Sequence, residues 1–173
     1  MTSSPFSTGT TELPHSGDRR VQLLPFEPRL ARPLAEAIAA MEPWSVMNYP
    51  ADKLAALLAN PDFGVTRYLV SLDGTEAGLV SVRSPWLKGP YLEILALLPH
   101  AQALGIGASI MAWFETAALR RDARNLWVCV SAFNERAQAF YARHGFVAAA
   151  VLPGLVKDGY DEVLMRKFPL GGA

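Results

Sequence analysis

Cysteine is nearly absent. Cys129 stands alone in 173 residues, so no intrachain disulfide can form, nor a zinc site built on cysteine pairs. Histidine is scarce. His15, His100 and His144 lie far apart and lack metal-ligand spacing, so no metal is expected. Net charge is missing too, since 16 basic and 16 acidic residues cancel. That removes the electrostatic ground for general binding to nucleic acid or to an anionic membrane. Residues 1–17 hold no basic segment followed by an apolar run, so no secretory signal is read there. A chain without disulfides fits a reducing compartment, and the cytoplasm is the expected location.

One stretch without a charged side chain, residues 94–114, is long enough to span a bilayer. Its middle holds Pro99, His100, Gln102, Gly105 and Gly107. Those residues would open the backbone hydrogen bonding at mid-depth, where no water repairs it. The stretch reads as strand, loop and helix, with no membrane partner expected.

What remains is the composition of a folded domain: 51% hydrophobic and 18% charged. Residues 1–20, rich in Ser, Thr, Pro and Gly, read as a flexible tail, and residues 21–170 as a single domain. Residues 21–26 form a strand placed at an edge, because Pro25 cannot donate to a ladder. Leu30, Leu34, Ala37, Ile38 and Met41 recur at helical spacing, and a second short helix covers residues 52–58. Residues 68–72 and 77–82 are strands joined by the Asp73-Gly74 turn. Residues 84–90 form a further turn, and residues 91–98 an apolar central strand. A long helix follows Gly105. Residues 126–131 form a strand. A helix then runs from an Asn134 cap to Gly145, and strands at 146–152 and 162–168 close the chain. This order gives an α/β fold, a mixed seven-stranded sheet with helices on both faces.

The segment between the central strand and the long helix carries the chemistry. A helix N-terminus offers unpaired N–H groups and partial positive charge. Gly105 and Gly107 let a ligand reach that backbone, making a cradle for a phosphate or diphosphate. A glycine pair alone also suits a tight turn. The segment lacks the Gly-Lys-Ser/Thr ending of triphosphate loops and the three-glycine dinucleotide fingerprint. Gln102-x-x-Gly105-x-Gly107 after an apolar strand resembles the acetyl-CoA signature of the GNAT superfamily of N-acetyltransferases. In order behind it, Asn134-x-x-Ala137-x-x-x-Tyr141-x-x-x-Gly145-Phe146 resembles that family's second motif. The resemblance covers about residues 21–168 and implies a GNAT-like, mostly antiparallel sheet.

The resemblance implies an enzyme, an acyltransferase moving an acetyl group from acetyl-CoA to a primary amine in a ternary complex. Amides of Ala103, Leu104, Gly105, Ile106, Gly107 and Ala108 would hold the diphosphate, with Gln102 of the signature also at the cofactor. The backbone of Leu95, Ala96 and Leu97 would hold the pantetheine arm, and one amide there would polarise the thioester carbonyl. Asn134 would cap its helix and touch the cofactor. Tyr141 would also contact the cofactor and protonate the departing thiolate; a half-buried core tyrosine is the alternative, and the full motif favours the acid. A carboxylate base is needed to neutralise the amine. On the strand after the long helix the matching position is Cys129, which cannot serve. Glu93, on the strand before the loop, is the remaining candidate, either as base or as a salt-bridged structural residue. By alternation it shares a face with Tyr91 and Leu95.

The acceptor, a small-molecule or peptide amine, would meet Trp44, Tyr49 and the carboxylates Glu42, Asp158, Asp161 and Glu162, all of which also suit solvated surface. Many relatives are dimers, so a homodimer stays open. Two further readings remain on the same fold: a non-catalytic acyl-CoA-binding or regulatory domain, favoured by Cys129, and a longer-acyl transferase.

Overall fold

Tight hairpins set the middle of the sheet. In the computed structural model, which describes residues 6, 8–15 and 17–170, β3 (Val65–Leu72) turns into β4 (Thr75–Trp86) at Asp73 and Gly74. Both turn residues have positive φ, 52° and 83°, as a two-residue hairpin between right-twisted strands requires. β4 turns into β5 (Gly89–Leu97) at Leu87 and Lys88, again at positive φ. The turn read at 84–90 is therefore two residues long, with Pro85 inside β4. Pro85 is tolerated because β3 ends opposite Arg83, so no ladder bond is lost on that side.

The remaining strands are β1 (Thr11–Leu13), β2 (Val21–Pro25), β6 (Leu126–Ser131), β7 (Val147–Lys157) and β8 (Tyr160–Lys167). They build one eight-stranded sheet in the order β1-β2-β3-β4-β5-β6-β8-β7. Every neighbouring pair is antiparallel except β5 with β6. The mixed, mostly antiparallel sheet is as expected, with one strand more than the seven read from the sequence.

The additional strand is β1. It covers β2, which is therefore not an edge; β1 stops opposite Val21–Leu23, leaving Pro25 clear of it. Leu13 and Phe6 are buried in the main core, Phe6 against Trp113 and Phe114. His15 Nδ1 lies 3.3 Å from Ser109 Oγ. This much of the segment expected as a flexible tail is built into the fold, because its apolar side chains find a place on the sheet. Residues 1–5, 7 and 16 of that segment lie outside the described residues.

Helices cover both faces. α3 (Ile106–Leu119) and α4 (Glu135–Arg143) lie on one side, where Ile106, Ile110 and Phe114 of α3 meet Val80, Val82, Val128 and Val130. α1 (Ala31–Ala39) and α2 (Ala51–Ala59) form a second core with Leu34, Ile38, Leu54 and Leu58 against Leu69, Leu79 and Ala96. Each such fully buried side chain contributes about 1.5–3 kcal/mol. The central strands serve both layers, which is why they read as nearly continuous apolar runs.

Candidate active site

β5 and β6 pair only through Tyr91 with Trp127 and Leu92 with Val128. Beyond those residues β5 has no β6 partner, and residues 93–97 present free main-chain edge. A bulge marks the parting. Ser81 faces Ile94 and Val82 faces Leu92, leaving Glu93 as the extra residue. Bulges raise local twist and bend the strand that carries them. This one also resets the alternation. Leu92, Leu95 and Leu97 all pack on the main core, while Ile94 and Ala96 belong to the second. Glu93 therefore does not share a face with Leu95, as strict alternation predicts. It bonds Ser81, whose neighbours Val80 and Val82 face the main core, so it lies on the α1–α2 side.

After β5 the chain makes a 3-10 turn, Pro99–Ala101, and reaches Gln102. The Gln102 side chain donates to Leu97 O at 2.9 Å, tying the loop back to the strand end. Ala103 and Gly105 are left-handed, φ 59° and 82°, and Gly105 caps α3 with no side-chain hydrogen bond to its first turn; the His15 ring lies alongside, 3.6 Å from where a Gly105 side chain would begin. The N–H groups of Ile106, Gly107 and Ala108 have no partner within the helix. A methyl on Gly107 would lie 3.2 Å from the Phe140 ring, which would have to give by a few tenths of an ångström to admit it.

The loop opens into a cleft of about 760 Å³. Leu95, Ala96 and Leu97 line it from β5. Gln102, Ala103, Gly105, Gly107 and Ala108 line it from the loop and α3, and Asn134, Phe140 and Tyr141 from α4 and its cap. Of the residues expected at a cofactor, only Leu104 and Ile106 are off the lining. Leu104 points to solvent and Ile106 is core. Arg136 and Arg143 also line the cleft, with Glu42 as its single carboxylate.

The Tyr141 side chain is buried, and burial pushes its hydroxyl far above the usual tyrosine range, so it stays protonated at neutral pH. Among the described residues nothing hydrogen-bonds that hydroxyl, yet the one side-chain polar atom sealed without a partner is Arg67 Nε. The Tyr141 hydroxyl therefore opens on the cleft. Ala137 N–H donates to Asn134 Oδ1 at 3.0 Å, the cap read from the sequence.

Glu93 is off the lining. Arg83 donates to its Oε1 from Nε at 3.0 Å and Nη2 at 2.9 Å, and Ser81 donates to its Oε2 at 2.9 Å. Burial, aided by the Glu162 charge, pushes the Cys129 thiol up to about 11, which leaves it a poor nucleophile. Glu162, expected with Glu42, Asp158 and Asp161 either to meet the acceptor or to be solvated surface, is not surface. It is 4% exposed, and Ser131 Oγ–H donates to its Oε1 at 2.8 Å. Burial raises its carboxyl, opposed by that hydrogen bond. Ser131 and Glu162 are paired directly across β6 and β8.

Glu42, Asp158 and Asp161 are exposed, Trp44 lines the cleft, and Tyr49 packs against the second core. Tyr160 OH donates to Val46 O at 3.1 Å and Lys157 Nζ donates to Met47 O. The β7–β8 turn therefore docks on the segment after α1, the two regions expected to frame an acceptor. Among the described residues no group of three His, Cys, Asp or Glu is placed to hold a metal ion. No helix among them is long and apolar enough to cross a membrane.

The family model described as the acetyltransferase (GNAT) family matches residues 31–146. No curated protein matches the chain. Among solved structures, a GNAT-family protein from Desulfovibrio desulfuricans superposes with a TM-score of 0.65 at 24% identity, covering 87% of this chain and 97% of its own. The ribosomal-protein-S18-alanine N-acetyltransferase of Escherichia coli gives 0.68 at 19% identity, over 90% and 96%. RimL, a ribosomal L7/L12 alpha-N-protein acetyltransferase in complex with coenzyme A, gives 0.68 at 17% identity, over 94% and 100%. At these identities the superpositions establish the fold.

Proposed function

The chain belongs to the GNAT acetyltransferase family, and on that footing we propose that it transfers an acetyl group from acetyl-CoA to a primary amine by direct attack in a ternary complex. The observation that carries this is the parting of β5 from β6 beside an open glycine loop, with the Tyr141 hydroxyl unpartnered between them. The amides from Ala103 to Ala108 receive the diphosphate, which the partial charge of the α3 N-terminus favours. Arg136 and Arg143 supply the countercharge on the same cleft. The free edge of Leu95, Ala96 and Leu97 takes the extended arm of the cofactor as a strand edge takes a peptide, and one of its amides polarises the acetyl carbonyl.

Acetyl-CoA supplies an activated acyl group, so the protein's tasks are orientation and proton handling. Tyr141 is a suitable donor to a leaving thiolate, because it is neutral, close-packed and aimed into the cleft. Glu93 is held by Arg83 and Ser81 and serves the sheet rather than the chemistry. Thiol release from acetyl-CoA, measured over a panel of small amines and peptide N-termini, tests the reading. Binding of CoA with no release for any amine would favour an acyl-CoA-binding domain instead.

A further inference from the structure

Buried carboxylates normally sit beside a cation, because an unpaired charge in an apolar interior costs several kcal/mol. Glu162 has no such partner. Its only protein hydrogen bond comes from Ser131, and among the described residues no Lys, Arg or His pairs with it. The groups facing it are uncharged at neutral pH. From β6 come Ser131 and Cys129, whose thiol is pushed up. From β5 comes Tyr91, whose hydroxyl is held in its protonated form by burial and by the charges near it. Directly across on β7 is Leu152. Lys157, further along β7, is engaged by Met47 O.

The position of Glu162 is specific. On β8 its neighbour Val163 enters the main core, and on β6 so does Val130, the neighbour of Ser131. Glu162 and Ser131 therefore face the other way, toward the α1–α2 side, together with Cys129. Tyr91 sits one residue before the last β5–β6 pairing, within electrostatic reach of Glu93, Cys129, Tyr141 and Glu162 at once. The proton donor Tyr141 and the unpaired carboxylate thus flank one strand junction from opposite layers. Glu162 Oε2 has no protein partner and is not sealed.

We propose that Glu162, positioned by Ser131, accepts the proton of a cationic primary amine that enters from the α1–α2 face. This rests on the acyl-transfer reading above. The ammonium supplies the missing countercharge on binding, then gives one proton to Glu162 and becomes nucleophilic. Its lone pair forms the C–N bond as the C–S bond breaks. Of the three nitrogen protons, one stays in the amide, one ends on the CoA sulfur by way of Tyr141, and one leaves from Glu162 to solvent. An upward-shifted carboxyl suits this task, since a base works best with its affinity near the working pH. Ser131 is a positioning residue that also favours the ionised form.

The experiment is thiol release from acetyl-CoA by the full chain, using n-propylamine, spermidine and an alanine-initiated tripeptide, as a function of pH. The wild type should show an ascending limb in kcat/KM set by Glu162. E162Q should lose about a hundredfold or more at neutral pH, keep its CoA affinity, and recover as pH approaches the neutralisation of the free amine. E162D should restore part of the loss. S131A, which removes the hydrogen bond favouring the carboxylate, should move the limb to higher pH. An E162Q profile matching the wild type overturns the proposal and leaves the transferase reading intact, as does a S131A limb that stays in place should E162Q fail to fold. A wild type that releases no thiol with any of the three amines overturns the transferase reading and this proposal with it.

Discussion

Arg83 grips Glu93 with two of its nitrogens, Nε at 3.0 Å and Nη2 at 2.9 Å from the same carboxylate oxygen. Arg83 also reaches Asp62 at 2.6 Å, so Glu93 is one member of a network binding β4, β5 and the segment after α2. E93Q should cost about 1.5–3 kcal/mol, the range for hydrogen bonds to charged groups, measured by urea unfolding. Its thiol-release profile should keep the ascending limb. Loss of that limb would return Glu93 to the chemistry.

Tyr141 offers the simplest test of the proton donor. Y141F keeps the ring packing against Phe140 and Phe146 and removes only the hydroxyl. Turnover should fall about ten- to a thousandfold while CoA affinity holds. Equal kcat values in a saturating thiol assay would remove Tyr141 from the reaction.

Gly105 tests the cradle. At φ 82° a side chain there is strained whatever the space, by about 1–2 kcal/mol. G105E adds a negative charge where the diphosphate is placed. Calorimetry should detect no CoA binding while circular dichroism reports a folded protein. Retained affinity would move the cofactor elsewhere.

Glu162 makes a stability prediction separate from catalysis. Its carboxyl is raised in the folded state, so the fold binds that proton more tightly than the unfolded chain does. The stabilisation this gives is complete below the ordinary carboxylate value of 4.5 and is lost as pH rises through the higher folded value. E162Q should therefore melt higher than wild type near neutral pH, with the gain disappearing in acid. A lower midpoint at pH 7 would mean that the carboxylate is paired after all.

Asn134 separates capping from cofactor contact. N134A should lose about 1 kcal/mol with its cap, and N134D should recover it. If the amide also touches CoA, N134D will regain stability without regaining affinity; recovery of both would leave capping as its whole role.

Much of this was legible in the chain. β6 falls on residues 126–131 as read, Asn134 caps α4, and Gly105 opens α3, because each is decided by local rules of periodicity and backbone freedom. What escaped is what distant partners decide. β1 is three residues with no pattern of its own, and only β2 makes it a strand. The bulge at Glu93 is one residue out of step, invisible until β4 is laid beside it, and it moves Leu95 to the opposite face. Glu162 follows Gly159, Tyr160 and exposed Asp161, so it looks like turn surface; Ser131, thirty-one residues away along the chain, buries it.

A sheet that stops pairing halfway along two central strands leaves its own architecture incomplete. Between Glu93 and Leu97 the main chain is paired with β4 on one side and, among the described residues, has no strand beside it on the other. An extended ligand laid along that second side acts as a ninth strand in all but covalent connection, so occupancy and folding draw on the same bonds. At a hundred times its dissociation constant such a ligand adds about 2.7 kcal/mol to the fold. The slowing of amide exchange should then be concentrated in that half of β5 and spare its first four residues.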